Sequence, residues 1–223
     1  ELEDQTATAR AVRQQLEDLE REKTDHGRHL TALEYEEAQE DARQVAERLG
    51  MPFHVLDFQA EFRSLVMDDF VTCYERGLTP NPCVVCNRKL KFGLLLAAAA
   101  ELGCQVTVTG HYARIARENG RYVLRKAADA AKDQSYFLYA LTQDQLAKIR
   151  FPLGELTKEQ AREIALQQGF VNAKKRDSQD VCFIPDGDYY AFLQRHPGKT
   201  YPQGDFLDSD GNIVGRHNGA AAY

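Results

Sequence analysis

Two cysteines three residues apart, Cys83 and Cys86, sit in the stretch TPNPCVVCNRKLKFG (79–93), just ahead of Asn87, Arg88, Lys89 and Lys91. A C-x-x-C pair serves a metal clasp, a redox switch or half of a sulfur-handling site, and the pair alone does not choose. A third cysteine, Cys182, lies in SQDVCFIPDG after the basic run Lys174, Lys175 and Arg176. Structural zinc asks for a fourth protein ligand, which Cys73, Cys104 or His111 would have to supply. A [4Fe–4S] cluster accepts three cysteines when one iron stays open. Three converging thiols therefore point to an open cluster or to a thiol relay. Cys86 is placed near a helix N-terminus beside Arg88 and Lys89, a setting expected to lower its thiol pKa. Cys73 and Cys104 have apolar neighbours and read as small core hydrophobes.

Five cysteines in a chain with no basic-then-apolar leader point to a reducing compartment, and the reading is cytoplasmic. The longest apolar run, GLLLAAAA at 93–100, is far too short to span a bilayer. The net charge of −6 hides an uneven distribution. Residues 1–50 hold 7 basic and 14 acidic side chains, and the remainder holds 21 basic and 20 acidic. Residues 86–132 carry nine basic residues against three acidic ones, and phosphate binding follows local density.

The elements that must position these groups are legible in outline. Residues 1–50 form an acidic helical segment of two helices broken near Gly27, the second running from about Leu30 to Leu49 and stopped at Gly50. FHVLDF (53–58) reads as a short strand, followed by a helix to about Arg76. Residues 91–103 read as a buried helix closed by Gly103, and QVTVTGHY (105–112) as a strand entering a glycine turn. This order is the grammar of an α/β fold with a parallel sheet, in which ligands gather at the carboxyl ends of strands, where Gly110 and His111 fall. Residues 112–127 form a hairpin turning at Glu-Asn-Gly. Two short helices occupy 132–149 with Thr142 as a cap, and a helix over 156–170 is capped by Thr157. Residues 204–219 begin an all-β module. The divisions expected are 1–50, 51–150, 151–200 and 201–223.

TPNPCVVCNRKLKFG, TGHYARI, AKDQSYFLYALTQDQL, FPLGELTKEQAREIA and DSQDVCFIPDGDY stand in this order, and together they closely resemble the tRNA-specific 2-thiouridylases. The resemblance runs from about Asp41 to the end. It implies an adenine-nucleotide α-hydrolase-like (PP-loop) domain that activates the C2 oxygen of the wobble uridine of tRNA with ATP and Mg2+, then replaces it with sulfur. On that resemblance Cys86 is the nucleophile and Cys182 carries the persulfide, and the two can form a disulfide. Asn81, Pro82 and Cys83 match the segment touching the target base. Gly110 matches an ATP-contacting glycine, and His111, Lys132, Asp133 and Gln134 match tRNA-contacting positions. The sulfur would come from a cysteine desulfurase or a sulfur carrier protein.

Two departures qualify the resemblance. Many family members have aspartate where this chain has Cys83, so a [4Fe–4S] cluster held by Cys83, Cys86 and Cys182 stands beside the persulfide relay. The family's S-G-G-x-D-S loop, which binds the pyrophosphate of ATP, has no counterpart, and no two glycines are adjacent. The domain is therefore expected to be incomplete at its N-terminus, and its C-terminal β module to be truncated. Three roles follow as expectations: a sulfurtransferase, an incomplete piece that binds tRNA or a cluster, or a scaffold with an acidic helical arm for a partner.

Overall fold

A computed structural model describes residues 35–171, 173 and 181–222. The expected break near Gly27 and the start of the second N-terminal helix lie outside the described residues. The chain divides into two compact units, residues 1–56 with 169–173 and residues 57–168 with 174–223.

In the first unit helix α1 is described over 35–48. It ends as its sequence predicts: Met51 N–H bonds the Ala46 carbonyl, and Gly50 takes φ 64° to close the last turn. The apolar run at 53–58 forms no strand, against expectation. A strand needs a neighbour to satisfy its backbone, and none pairs with this run among the described residues, which leaves Val55 and Leu56 exposed.

The second unit opens with α2, whose pieces Gln59–Phe62, Arg63–Met67 and Asp68–Glu75 run on without a break. Helix α3 follows as Pro82–Val85, Cys86–Leu94 and Leu95–Glu101. Its start is earlier than the sequence suggested. Asn81 caps it, accepting from Val84 N at 3.2 Å, and Pro82 occupies the first helical position, where a missing N–H costs nothing. The middle piece, Cys86–Leu94, is π-wound. Strand β1 is only Thr107–Val108, and it pairs in parallel with β4, Ile149–Arg150. This pair is the parallel element of an α/β fold.

Strands β2 (Ala113–Glu118) and β3 (Arg121–Lys126) form the expected hairpin. Asn119 and Gly120 both take positive φ at its turn, as a two-residue primed turn requires. Helices α4 (Gln143–Lys148) and α5 (Lys158–Gln167) each begin with a full capping box, on Thr142 with Gln145 and on Thr157 with Gln160. Gly154, in a 3-10 turn over Pro152–Glu155, lies against β2: a Cβ there would meet the Ala113 carbonyl oxygen at 2.0 Å, so only glycine fits. Helix α6 (Tyr189–Arg195) and the antiparallel pair β5 (Gly204–Leu207) and β6 (Ile213–His217) complete the unit.

Two apolar clusters hold these elements. Phe92, Ala113, Leu138, Ile149 and Phe151 join α3 to the parallel pair and the hairpin. Phe70, Val71, Ile184, Phe192, Leu193 and Ala221 join α2 to α6 and the segment after Cys182. Each fully buried Phe, Leu or Ile contributes roughly 1.5–3 kcal/mol.

Candidate functional site

The three cysteines singled out by type and spacing come together, although Cys182 stands far along the chain from the other two. Cys83 and Cys86 lie in the first two turns of α3. Cys182 is held by its neighbours: Ile184 is 1% exposed, and the Phe183 ring packs edge-on against Phe70 at 5.4 Å and Phe62 at 5.7 Å. Helix α2 is thus a common wall, meeting the Cys182 anchor on one side and the start of α3 on the other. Within this arrangement Cys182 acts electrostatically on Cys83, Cys86 feels both, and Lys91 acts on all three.

The thiols do not behave as the local sequence implied. Partial desolvation raises the pKa of Cys83, Cys86 and Cys182, most plainly at half-buried Cys86 since Cys83 and Cys182 still reach solvent, and the Lys91 ammonium only partly opposes it. Arg88, exposed on α3, and Lys89 contribute nothing resolved to Cys86. The expectation of a lowered thiol pKa is therefore corrected: half-burial outweighs the nearby charge. All five cysteines are free thiols. Among the described residues no three His, Cys, Asp or Glu side chains are placed to hold a metal ion. The residues as arranged do not present a cluster-binding set, and no step is derived through one. Cys73 is half-buried and Cys104 exposed, so the reading of Cys104 as a core hydrophobe is also corrected.

The residues matched to RNA contacts differ in what their side chains touch. Asn81 spends its side-chain oxygen on the α3 cap, and Pro82 is buried. His111 is 9% exposed, its Nδ1 2.8 Å from Thr109 Oγ1, with its ring 5.7 Å from both Phe92 and Phe151. Burial first, and Lys91 second, hold its pKa down to about 4, so it is neutral at physiological pH. The Asp133 carboxylate accepts from Ala127 N and Ser135 Oγ, each at 2.8 Å. Gln134 Oε1 accepts from Tyr112 N at 2.9 Å, and the Tyr112 carbonyl takes the Gln134 N–H. Both side chains therefore shape the loop that carries Lys132, which is exposed.

Gly110 is exposed just past the carboxyl end of β1, where parallel sheets receive ligands. A Cβ there would meet only Leu153 Cδ1, at 3.6 Å, an ordinary contact. The position therefore has room for a side chain, and nothing in its packing requires glycine. The nine cations of 86–132 are partly spent: Arg114 pairs with Glu155 at 3.3 Å and Arg125 with Glu118 at 2.5 Å, while Arg117 lies over the Tyr122 ring.

Two residues were not singled out from sequence. Lys91 stands five residues after Cys86, off its face on an ordinary α-helix. Tyr136, 57% exposed and tilted 35° against Phe137 with centroids 3.8 Å apart, lies within electrostatic reach of Cys83. Its place two residues past the K-D-Q triplet was the available signal.

The model of the tRNA methyl transferase HUP domain family matches residues 2–186, beginning earlier than the motifs had placed the resemblance. Among known proteins the chain is similar to the tRNA-specific 2-thiouridylase MnmA of Lachnoclostridium phytofermentans, 50% identical over 83% of this chain and 52% of that protein. It is likewise similar to the proteins of the same name from Geobacter metallireducens, 50% identical over 82% and 50%, and Clostridium acetobutylicum, 46% identical over 83% and 52%. The chain spans about half the length of the curated relatives it matches.

Proposed function

This chain belongs to the tRNA-specific 2-thiouridylase family, with an α/β fold of the HUP (PP-loop) class, and from that premise we propose that it takes part in ATP-dependent 2-thiolation of the wobble uridine of tRNA. The observation that carries the reading is the convergence of Cys83, Cys86 and Cys182 about Lys91. Asn81, Pro82 and Cys83 border the target base. Of the tRNA-contacting set His111, Lys132, Asp133 and Gln134, exposed Lys132 meets the RNA directly, Asp133 and Gln134 act by shaping its loop, and buried His111 supports the strand end from beneath. Tyr136 offers an exposed aromatic face beside Cys83 for the extruded base, since RNA-modifying sites stack splayed bases on such rings.

ATP with Mg2+, when bound near Gly110, supplies the adenylyl group that makes the uridine C2 oxygen a leaving group. The terminal sulfur of a persulfide on Cys182 attacks C2. A C2–S bond forms, and the C2–O bond breaks with its electron pair leaving on AMP. The Cys86 thiolate then attacks Cys182 Sγ. The persulfide S–S bond breaks, its electron pair stays on the sulfur attached to C2, and a Cys86–Cys182 disulfide remains. A dithiol reductant returns two electrons and two protons. A cysteine desulfurase or sulfur carrier protein renews the persulfide. No helix among the described residues is long and apolar enough to cross a membrane, and a cytoplasmic location suits the thiol chemistry.

Cys86→Ser and Cys182→Ser, each made in a thiolation-competent form, are expected to abolish 2-thiouridine in tRNA measured by nucleoside mass spectrometry. Appreciable 2-thiouridine from either variant would sink the assignment. The alternative, a piece that binds tRNA or a [4Fe–4S] cluster through Cys83, Cys86 and Cys182, is the weaker reading, since among the described residues these thiols are not placed to hold a metal. Anaerobic reconstitution with iron and sulfide separates the two. An absorbance band removed by Cys83→Ala supports the cluster, and iron-free protein with full activity overturns it.

A further inference from the structure

Helix α3 changes its winding at the sulfur site. On an α-helix, residues five apart point about 140° away from each other. In a π-wound stretch the backbone bonds run from i to i+5, which brings residues five apart toward one face. Cys86–Leu94 is such a stretch, so Cys86 and Lys91 turn to the same side of the helix. Such insertions gather at functional sites because they re-aim side chains at a cost in backbone regularity.

We propose that Lys91 is the cation that receives and holds the anionic transferring sulfur among Cys83, Cys86 and Cys182. Three observations support it. Lys91 is half-buried, and no carboxylate or hydrogen-bond acceptor satisfies it among the described residues. A partly desolvated ammonium without a partner favours an arriving anion. Its charge also reaches all three thiols and His111, and no other Lys or Arg among the described residues acts on any of them. Lys91 is therefore the positive charge of this group, and a persulfide sulfur arriving on Cys182 is the negative one. The identity of that anion rests on the sulfur-transfer reading above.

The test compares two alkylating reagents on the folded protein, without tRNA or sulfur donor. Iodoacetate is an anion and iodoacetamide is neutral, but both consume the same thiolate. Their rate ratio at each cysteine, read by peptide mass spectrometry, therefore reports local charge and cancels thiol ionisation. Referenced to exposed Cys104, the ratio is expected to be raised at Cys86 and Cys182. Lys91→Met should lower it about three- to tenfold, the effect of one nearby unit charge under near-aqueous screening. Lys91→Arg should retain it. A ratio unchanged in Lys91→Met overturns the proposal. Retained slow iodoacetamide labelling of half-buried Cys86 against Cys104 certifies the fold, and Lys91→Gln decides the matter if Lys91→Met loses that protection. Failure here removes the role of Lys91 and leaves thiolation through Cys86 and Cys182 intact. Thiolation surviving Cys86→Ser would instead remove the sulfur-transfer reading and leave the ratio unaltered.

Discussion

The side-chain amide of Asn87 donates to the carbonyl oxygen of Cys83 at 2.9 Å, from a position only 4% exposed. This bond ties the buried face of α3 to its first turn, where one of the thiols sits. The other amide atom, Oδ1, is buried without a partner. Asn87→Ala loses the bond but also removes the orphaned acceptor. The expected net loss is therefore modest, about 1 kcal/mol, read as a lower urea midpoint at unchanged slope. Alkylation of Cys83 should quicken relative to Cys104. A loss above about 3 kcal/mol would mean that Oδ1 is satisfied after all, by ordered water.

Ile184 anchors the segment that delivers Cys182. It is 1% exposed within the cluster of Phe70, Phe192 and Leu193, so Ile184→Ala is expected to cost about 2–5 kcal/mol. Thermal unfolding and 2-thiouridine yield measure the two consequences. Conditions that restore folding but not yield would show Cys182 displaced. Full yield in a destabilised variant would show that the anchor supports the fold alone.

His111 gives the fold a pH dependence whose sign is fixed by its low pKa. The folded protein holds it near 4, against an ordinary value of 6.5. The unfolded chain therefore binds the extra proton between those values. The contribution is fully present above about pH 6.5 and is lost as pH falls toward 4, on the order of 3 kcal/mol in all. Urea unfolding at pH 7.5 and 4.5 should show this slope in wild type and a flatter one in His111→Gln. Equal slopes would refute the assignment to His111.

Tyr136 is expected to act through its ring. Tyr136→Phe should keep binding and thiolation near wild type, while Tyr136→Ala loses about 1–3 kcal/mol of stacking, seen as weaker binding of an anticodon stem-loop. An Ala variant that binds as well as wild type would remove the stacking role. The ring is 57% exposed, so its loss should barely move protein stability.

Much of this protein was written in local sequence. The capping boxes on Thr142 and Thr157, the Asn119–Gly120 hairpin turn and the glycine stop of α1 depend on neighbours within a few residues, and each formed where its residues called for it. The motif blocks identified the family for the same reason, since residue order needs no fold to be read. What the tertiary structure alone decided depends on distant parts of the chain. The run at 53–58 had strand composition, but a strand exists only where another strand accepts its hydrogen bonds. Cys182 comes within electrostatic reach of Cys83 and Cys86 because Phe183 and Ile184 pack against α2, a contact no local spacing encodes. The thiol pKa values rise because burial is a property of the assembled site, whereas the charges beside Cys86 in sequence pointed the other way. Lys91 turns to the side of Cys86 because α3 is π-wound there, a departure from the helical period by which sequence is read.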